Sequence, residues 1–245
     1  MTEVVNTLRR ILLPLDVSRD SLTALQIAFD LAAALGGEIS GLFIEDSRLV
    51  VAGSLPFARE VGSLSGISRQ IGSADIEHSF RAVAGKARDT LAEAGRRLNV
   101  RSSFRVTRGD VPAEILGAAT DADLVVLGKA GWSAGMFRKP GSTCLAVLSR
   151  SRIPVLIAER GATLSPPILA VNDGTAAGRR ALDLASDLSR SLGWEMAVVS
   201  AQGIATGDDI LQSVCRNKPR LIVLPSSLPL SESASQLTCP MLFVP

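Results

Sequence analysis

Short apolar runs alternate with longer amphipathic segments along the chain. Residues 11–15 form an apolar run that ends at Asp16, a pattern typical of a strand buried on both faces. Ser18 then begins a predicted helix, whose apolar positions recur with helical spacing until Gly36-Gly37 ends it. The same alternation predicts strands at 39–44, 103–107, 124–127 and 154–158 and helices at 73–99, 110–119 and 142–150. Residues 45–66 show neither period and are predicted to form a loop or a mobile flap.

The second half of the sequence repeats the first in shortened form. Residues 168–201 match 11–44 without a gap, and the later strands match at smaller offsets. The second copy therefore lacks the long helix and the third strand, and its loop after the fourth strand is shorter. We expect two domains, 1–160 and 165–245, with Pro166-Pro167 ending the linker. The strands predicted in the second copy are 167–172, 195–200, 220–225 and 240–244.

Strands that alternate with helices indicate an α/β fold with parallel strands and right-handed crossovers. The amino-acid composition disfavours two classes of binding partner. Aromatic residues make up 4% of the chain and tyrosine is absent, which disfavours a single-stranded nucleic-acid binder that stacks bases. The net charge of +2 is too small to indicate a polyanionic partner.

The sequence also predicts the cellular compartment. No signal core is present at the N-terminus, and no apolar run approaches the roughly 20 residues that cross a bilayer. The three cysteines, Cys144, Cys215 and Cys239, show neither disulfide nor metal-site spacing, as expected of reduced thiols. We therefore expect a cytoplasmic protein with neither a nucleic acid nor a membrane as partner.

Candidate binding residues follow two of the predicted strands. Ligands of open parallel sheets bind at the carboxyl ends of the strands, where Asp16 and Gly128 lie. Gly141-Ser142-Thr143 then opens a helix whose free N–H groups suit a phosphate. Lys129, Arg138 and Lys139 lie in the intervening loop and could screen phosphate charge. The alternative is that these glycines serve only the turn, because such features also occur without a ligand.

The spacing Gly128-x-x-Gly131-x₉-Gly141-Ser142 resembles the ATP-binding motif of the universal stress protein family. Residues 11–18 and 153–156 also resemble the first and last strands of that family. The resemblance spans 9–159, apart from an insert around 45–72, and extends more weakly over 167–245. It implies a tandem member with a degenerate second domain. It also implies two open Rossmann-like sheets of the adenine nucleotide α-hydrolase type, ordered 3-2-1-4-5 and a truncated 2-1-4-5.

This resemblance implies that the first copy holds ATP, alone or with Mg²⁺. Adenine and ribose would be bordered by Pro14, Leu15 and Asp16 and flanked by Phe43. Leu127, Gly128 and Lys129 would border the nucleotide, and its phosphates would be held by Gly131, Gly141, Ser142 and Thr143. One departure is that Lys129 precedes Ala130 between the first two glycines, where family loops often place a small residue before a basic or polar one.

The second copy keeps Asp173 but has lost the glycine loop. Pro225 stands at the position of Gly128, and residues 225–229 contain no glycine, so we expect no nucleotide there. Family members tend to pair through their last strands. The resemblance therefore implies an intramolecular pseudo-dimer of the two domains and leaves a further homodimer open.

Two other residues invite a chemical role. His78, the single histidine, lies in a polar stretch and is interpreted as a solvated helix residue. Cys144 is either a thiol activated by a helix start or a small buried apolar residue.

Three functions are compatible with the sequence: an ATP-binding regulatory or stress-response protein, a slow ATP hydrolase or nucleotidyl-transferring enzyme, or an interaction module with an empty site. The sequence has neither a Walker lysine after a glycine loop nor obvious paired carboxylates for Mg²⁺, and both absences disfavour the enzyme.

Overall fold

The computed structural model describes residues 8–61, 66, 68–129, 141–201, 219–228 and 239–245. The first half contains β1 (Arg10–Pro14), α1 (Arg19–Leu35), β2 (Glu38–Asp46), α2 (Ser47–Gly53), β3 (Arg59–Val61), β4 (Ser68–Gln70), α3 (Ser73–Leu98), β5 (Arg101–Gly109), α4 (Val111–Ala118), β6 (Leu124–Gly128), α5 (Ser142–Leu148) and β7 (Val155–Ala158). The second half contains β8 (Ile168–Asn172), α6 (Ala176–Leu192), β9 (Met196–Ser200), β10 (Leu221–Pro225) and β11 (Met241–Val244).

Nine of these strands form one sheet in the order β5-β2-β1-β6-β7-β11-β10-β8-β9. All neighbours are parallel except β7 and β11, which pair antiparallel with Leu156 opposite Leu242. The predicted α/β class is confirmed, and each half shows the predicted strand order. The two predicted sheets are one continuous sheet, because the last strands of the two halves join edge to edge.

Helices α1 and α6 have the same caps at matching positions of the repeat. Ser18 Oγ accepts the Ser21 N–H, and Thr175 Oγ1 accepts the Gly178 N–H. Both helices end at a glycine in the left-handed conformation, Gly36 and Gly193. The repeat read from the sequence therefore extends to the chemistry that begins and ends its first helix.

The helices cover both faces of the sheet and form two buried layers. The layer beneath α1, α3 and α6 includes Ile11, Leu13 and Phe29, and the layer beneath α4 and α5 includes Leu12, Leu42 and Ile115. Helix α3 lies so close to β2 that a side chain at Gly41 would meet Leu91 at 2.8 Å. The other end of α3 lies nearer the carboxyl end of β2, where Phe80 contacts Phe43 and where a ligand of this fold would bind.

The prediction of an irregular segment over 45–66 is wrong in part, because residues 47–53 form helix α2. Asp46 caps this helix by accepting the Arg48 N–H at 2.9 Å. Gly53 lets α2 lie against α3, since a Cβ there would collide with the side chain of Ile76. Strands β3 and β4 form a separate antiparallel pair. Among the described residues, no helix has both the length and the apolar character needed to cross a membrane.

Candidate functional site

One cavity of about 480 Å³ lies at the carboxyl ends of β1, β2 and β6. Most of the predicted site residues line it together: Pro14, Leu15, Asp16, Phe43, Leu127, Gly128, Lys129, Gly141, Ser142 and Thr143. Gly131, Arg138 and Lys139 fall within 130–140, outside the described residues. The cavity has the size and the position that small-molecule sites occupy in parallel sheets.

The turn after β1 supplies an acidic group of the cavity, Asp16. The Ser18 N–H donates to Asp16 Oδ1 at 3.0 Å, which fixes the carboxylate beside the start of α1. Between them Val17 has a φ of 62°, a left-handed conformation that is unfavourable for a β-branched residue. The matching residue of the second copy is Gly174, with a φ of 81°, which adopts this region without strain. Backbone strain of this kind is often found at functional sites. Of the two matching turns, only the turn in the first copy is strained.

Gly128 is required by a close approach between β6 and α1. A Cβ at this position would lie 2.7 Å from the carbonyl carbon of Asp20 and 2.8 Å from the nitrogen of Ser21. These are backbone atoms at the start of a helix, so they cannot move aside as a flexible side chain would. The glycine therefore lets the end of β6 reach α1, whose Ser18 and Ser21 line the cavity beside it.

The start of α5 forms the polar wall opposite the β1 turn. The Gly141 N–H donates to the Lys129 carbonyl at 2.9 Å, so the two ends of segment 130–140 meet at the cavity. Ser142 and Thr143 follow in the first turn of a helix that is seven residues long. Their hydroxyl and backbone N–H groups can donate hydrogen bonds to an anionic ligand.

The opposite end of the cavity is apolar and includes residues that sequence reasoning missed. The rings of Phe43 and Phe80 meet edge to face, with centroids 6.2 Å apart. The surrounding apolar residues are Leu42, Ile44, Val83, Val111 and Ile115. Phe80 and Val83 belong to α3. The sequence predicted this helix, but its pattern of apolar residues did not indicate that its amino-terminal half lines the cavity. An apolar compartment of this kind suits a flat heteroaromatic ring.

Arg48, also missed from the sequence, stands at the rim of that apolar end. Its Nε and Nη2 atoms donate to the Asp46 carboxylate at 2.9 and 2.8 Å, and Nη1 lies 3.9 Å from Asp110. Hydrogen bonding by this guanidinium is the main cause that lowers the pKa of Asp46. The cap of α2 thus also holds an arginine over the cavity, which the assignment of 45–66 to a loop concealed.

Lys129 lines the cavity, but its ammonium is already paired. Its Nζ lies 2.5 Å from Glu159 Oε2, and only 3% of the lysine side chain is exposed. The sequence suggested that Lys129 screens phosphate charge but gave no sign of this partner. In the structure its positive charge is balanced by the first residue after β7.

Cys144 packs in the buried layer beneath α4 and α5. Burial raises the pKa of its thiol to about 12, and the nearby Lys129 charge opposes this only in part. The structure therefore favours the buried apolar residue over the activated thiol.

We expect Cys144 to resist alkylation in the folded protein at pH 8, because almost none of it is a thiolate there. Iodoacetamide labelling followed by peptide mapping separates this cysteine from the other two, with a urea-unfolded sample as the control. Labelling of Cys144 as fast in the folded as in the unfolded protein would contradict its assignment to the core.

His78 is exposed on α3, in agreement with its interpretation as a solvated helix residue. Within the described ranges, no group of three or more acidic, histidine or cysteine side chains is arranged to hold a metal ion. Most of the predicted site residues of this half thus lie around the cavity at the carboxyl ends of β1, β2 and β6.

The corresponding turn of the second half is closed by its own side chains. Asp173 accepts hydrogen bonds from Thr175 Oγ1 at 2.6 Å and from Ser227 Oγ at 3.0 Å. Partial burial alone would raise the pKa of Asp173, but the hydrogen bonds from Thr175 and Ser227 hold it below its usual value. Ser227 lies just after β10, in the shortened loop, so the acidic group that matches Asp16 is bound by residues of the protein.

Comparison with known proteins agrees with this architecture. A universal stress protein from Archaeoglobus fulgidus superposes with a TM-score of 0.72 at 19% identity, covering 96% of this chain and 97% of its own. A protein of unknown function from Pseudomonas aeruginosa PAO1 superposes with a TM-score of 0.64 at 13% identity, covering 99% and 94%. At these identities the likeness concerns the fold alone.

No curated protein sequence matches the chain. The model of the universal stress protein family, however, matches residues 7–159, which is more than half of the sequence. That span contains every residue that lines the cavity at the strand ends. The chain belongs to the universal stress protein family.

Proposed function

We propose that this chain is a regulatory protein that binds ATP in the cavity of its first half. In this proposal residues 1–160 are the nucleotide-binding domain, and 165–245 are a domain without nucleotide that completes the sheet as the second member of an intramolecular pseudo-dimer. The observation that carries the proposal is the cavity itself. It gathers ten of the eleven residues predicted for the nucleotide around about 480 Å³ of space.

The two ends of the cavity differ in the way the two ends of a nucleotide differ. The adenine ring fits the apolar end beside Phe43, where it can pack against aromatic and aliphatic side chains. The carboxylate of Asp16 lies near the middle and can accept a hydrogen bond from the base or the ribose. The phosphates then face Gly141, Ser142 and Thr143, which offer backbone and hydroxyl donors.

A regulatory role is supported by the number of helices that a bound nucleotide would contact. The cavity wall includes the start of α1, parts of α2, α3 and α4, and the first turn of α5. A nucleotide that contacts all of them stabilises their mutual arrangement by linkage, without any chemical step. Family membership supports a role in the stress response and a cytoplasmic location, and both belong to this proposal.

We expect ATP to raise the thermal stability of the protein. At about 100 times the dissociation constant, linkage adds roughly 2.7 kcal/mol to the free energy of unfolding. For a chain of this size that corresponds to a rise in Tm of about 5–10 °C. Differential scanning fluorimetry with ATP, ADP and AMP measures this rise, and native mass spectrometry of the purified protein identifies any co-purified nucleotide. No response to any of the three would favour an interaction module with an empty site.

A further inference from the structure

Lys129 and Glu159 form a buried ion pair that the sheet itself assembles. Lys129 follows β6 and Glu159 follows β7, and these strands are parallel neighbours whose carboxyl ends meet at one edge. The Lys129 N–H donates to the Ala158 carbonyl at 2.9 Å, which fixes the two strand ends together. The ammonium and the carboxylate are 2.5 Å apart, and their side chains are 3% and 12% exposed.

This ion pair lies at the phosphate end of the cavity. Lys129 lines the cavity with Gly141, Ser142 and Thr143, and its carbonyl accepts the Gly141 N–H. The charge of Lys129 also acts on Cys144 in the first turn of α5, where it lowers the thiol pKa against the larger effect of burial. A phosphate bound at that turn therefore lies within the electrostatic reach of both members of the pair.

The other lining cation is matched as well. Arg48 is held by two hydrogen bonds from its guanidinium to Asp46 and lies close to Asp110. Among the charged residues of the described cavity wall, each positive group thus faces at least one carboxylate. Each further phosphate adds negative charge beside a lysine whose field Glu159 largely cancels, so it gains little attraction from this wall.

Building on the proposed function, we propose that Glu159 is a specificity-determining residue. By neutralising Lys129 it reduces the gain in affinity that each added phosphate brings. A protein with this property discriminates less between adenosine mono-, di- and triphosphate than one in which Lys129 is unbalanced. The inference concerns charge selectivity alone, so it is separate from whether adenine nucleotides bind.

The test is isothermal titration calorimetry with adenosine, AMP, ADP and ATP, at fixed ionic strength and with EDTA present. In Glu159→Gln the lysine charge is no longer balanced, so we expect each added phosphate to raise affinity about three- to tenfold more than it does in the wild type. Adenosine affinity stays unchanged. Arg138 and Lys139, which lie outside the described residues, are common to both proteins, so the comparison isolates the charge of Glu159.

The matched control is Glu38→Gln, which removes the same charge from an exposed pair with Arg101 at the amino end of β2. It is expected to leave the affinity series as in the wild type. A series in Glu159→Gln that is no steeper than in the wild type, or an equal shift for adenosine and ATP, would overturn the inference. If the wild type binds none of the four ligands, the proposed function fails instead.

Two further variants cover the case in which Glu159→Gln does not fold. Lys129→Met leaves Glu159 unbalanced, so each added phosphate should raise affinity less than it does in the wild type. Lys129→Met combined with Glu159→Gln removes both charges and should restore the wild-type series. The slope of affinity against phosphate count must follow the local net charge across the variants that fold, and a slope that ignores this charge refutes the proposal.

Discussion

Gly128→Ala is expected to lower the free energy of unfolding by about 1–3 kcal/mol and to weaken ATP binding. The added methyl group would lie 2.7–2.9 Å from backbone atoms of Asp20 and Ser21. Those atoms belong to the buried first turn of α1, so either β6 or α1 must move. Ser18 and Ser21 of that turn line the cavity, and a displacement of about 1 Å is enough to spoil ligand hydrogen bonds. We therefore expect the dissociation constant for ATP to rise at least about tenfold.

The same substitution at Gly85 provides the control. Gly85 lies inside α3, and a Cβ there would meet no atom within 4 Å. Gly85→Ala should raise the free energy of unfolding by roughly 0.5–1 kcal/mol, because alanine favours the helix. Urea denaturation and calorimetry with ATP measure both variants. A Gly128→Ala protein as stable as the wild type, with unchanged ATP affinity, would show that β6 and α1 are not in tight contact.

Local capping chemistry explains why the ends of α1 could be predicted. Ser18 accepts a backbone N–H from within the first turn, and Gly36 adopts a conformation that few other residues tolerate. Both effects are properties of a few neighbouring residues. The shortened second copy was predictable for a related reason, because its strands kept their apolar runs and α6 kept its caps.

Helix α2 was missed because its stability is only partly local. Its seven residues include two adjacent valines and are too few to show a period. The helix depends on the cap from Asp46 and on packing of Gly53 against Ile76 of α3, a contact between segments that are distant in sequence. Missing α2 meant missing Arg48 as a lining residue.

Some features of the candidate site could likewise be predicted from the sequence and others could not. Residues at strand ends were predictable, because strand order alone brings Asp16, Phe43 and Gly128 to one edge. The partner of Lys129 was missed, although Lys129 and Glu159 follow neighbouring strands of the predicted order, because strand order does not say which side chains at the edge turn toward each other. The strained φ of Val17 was hidden from the sequence, since no spacing rule requires a valine to adopt a left-handed conformation.

The two halves offer a matched pair of acidic residues that tests where the nucleotide binds. Asp16→Asn keeps an oxygen that can accept the Ser18 N–H but removes the negative charge. A hydrogen bond to a charged group contributes about 1.5–3 kcal/mol. We therefore expect ATP affinity to fall about 10- to 150-fold, which calorimetry at pH 7.5 measures directly.

Asp173→Asn makes the same change in the second half and should leave ATP affinity as it is. Its cost falls on stability instead, because the new amide NH₂ replaces one of the acceptors for Thr175 and Ser227. A donor that loses its acceptor destabilises the fold by about 1–3 kcal/mol. Loss of ATP binding in Asp173→Asn with normal binding in Asp16→Asn would place the ligand in the second half and contradict the proposed function. The opposite pattern would support a nucleotide at the turn of the first half, where Asp16 lines the cavity.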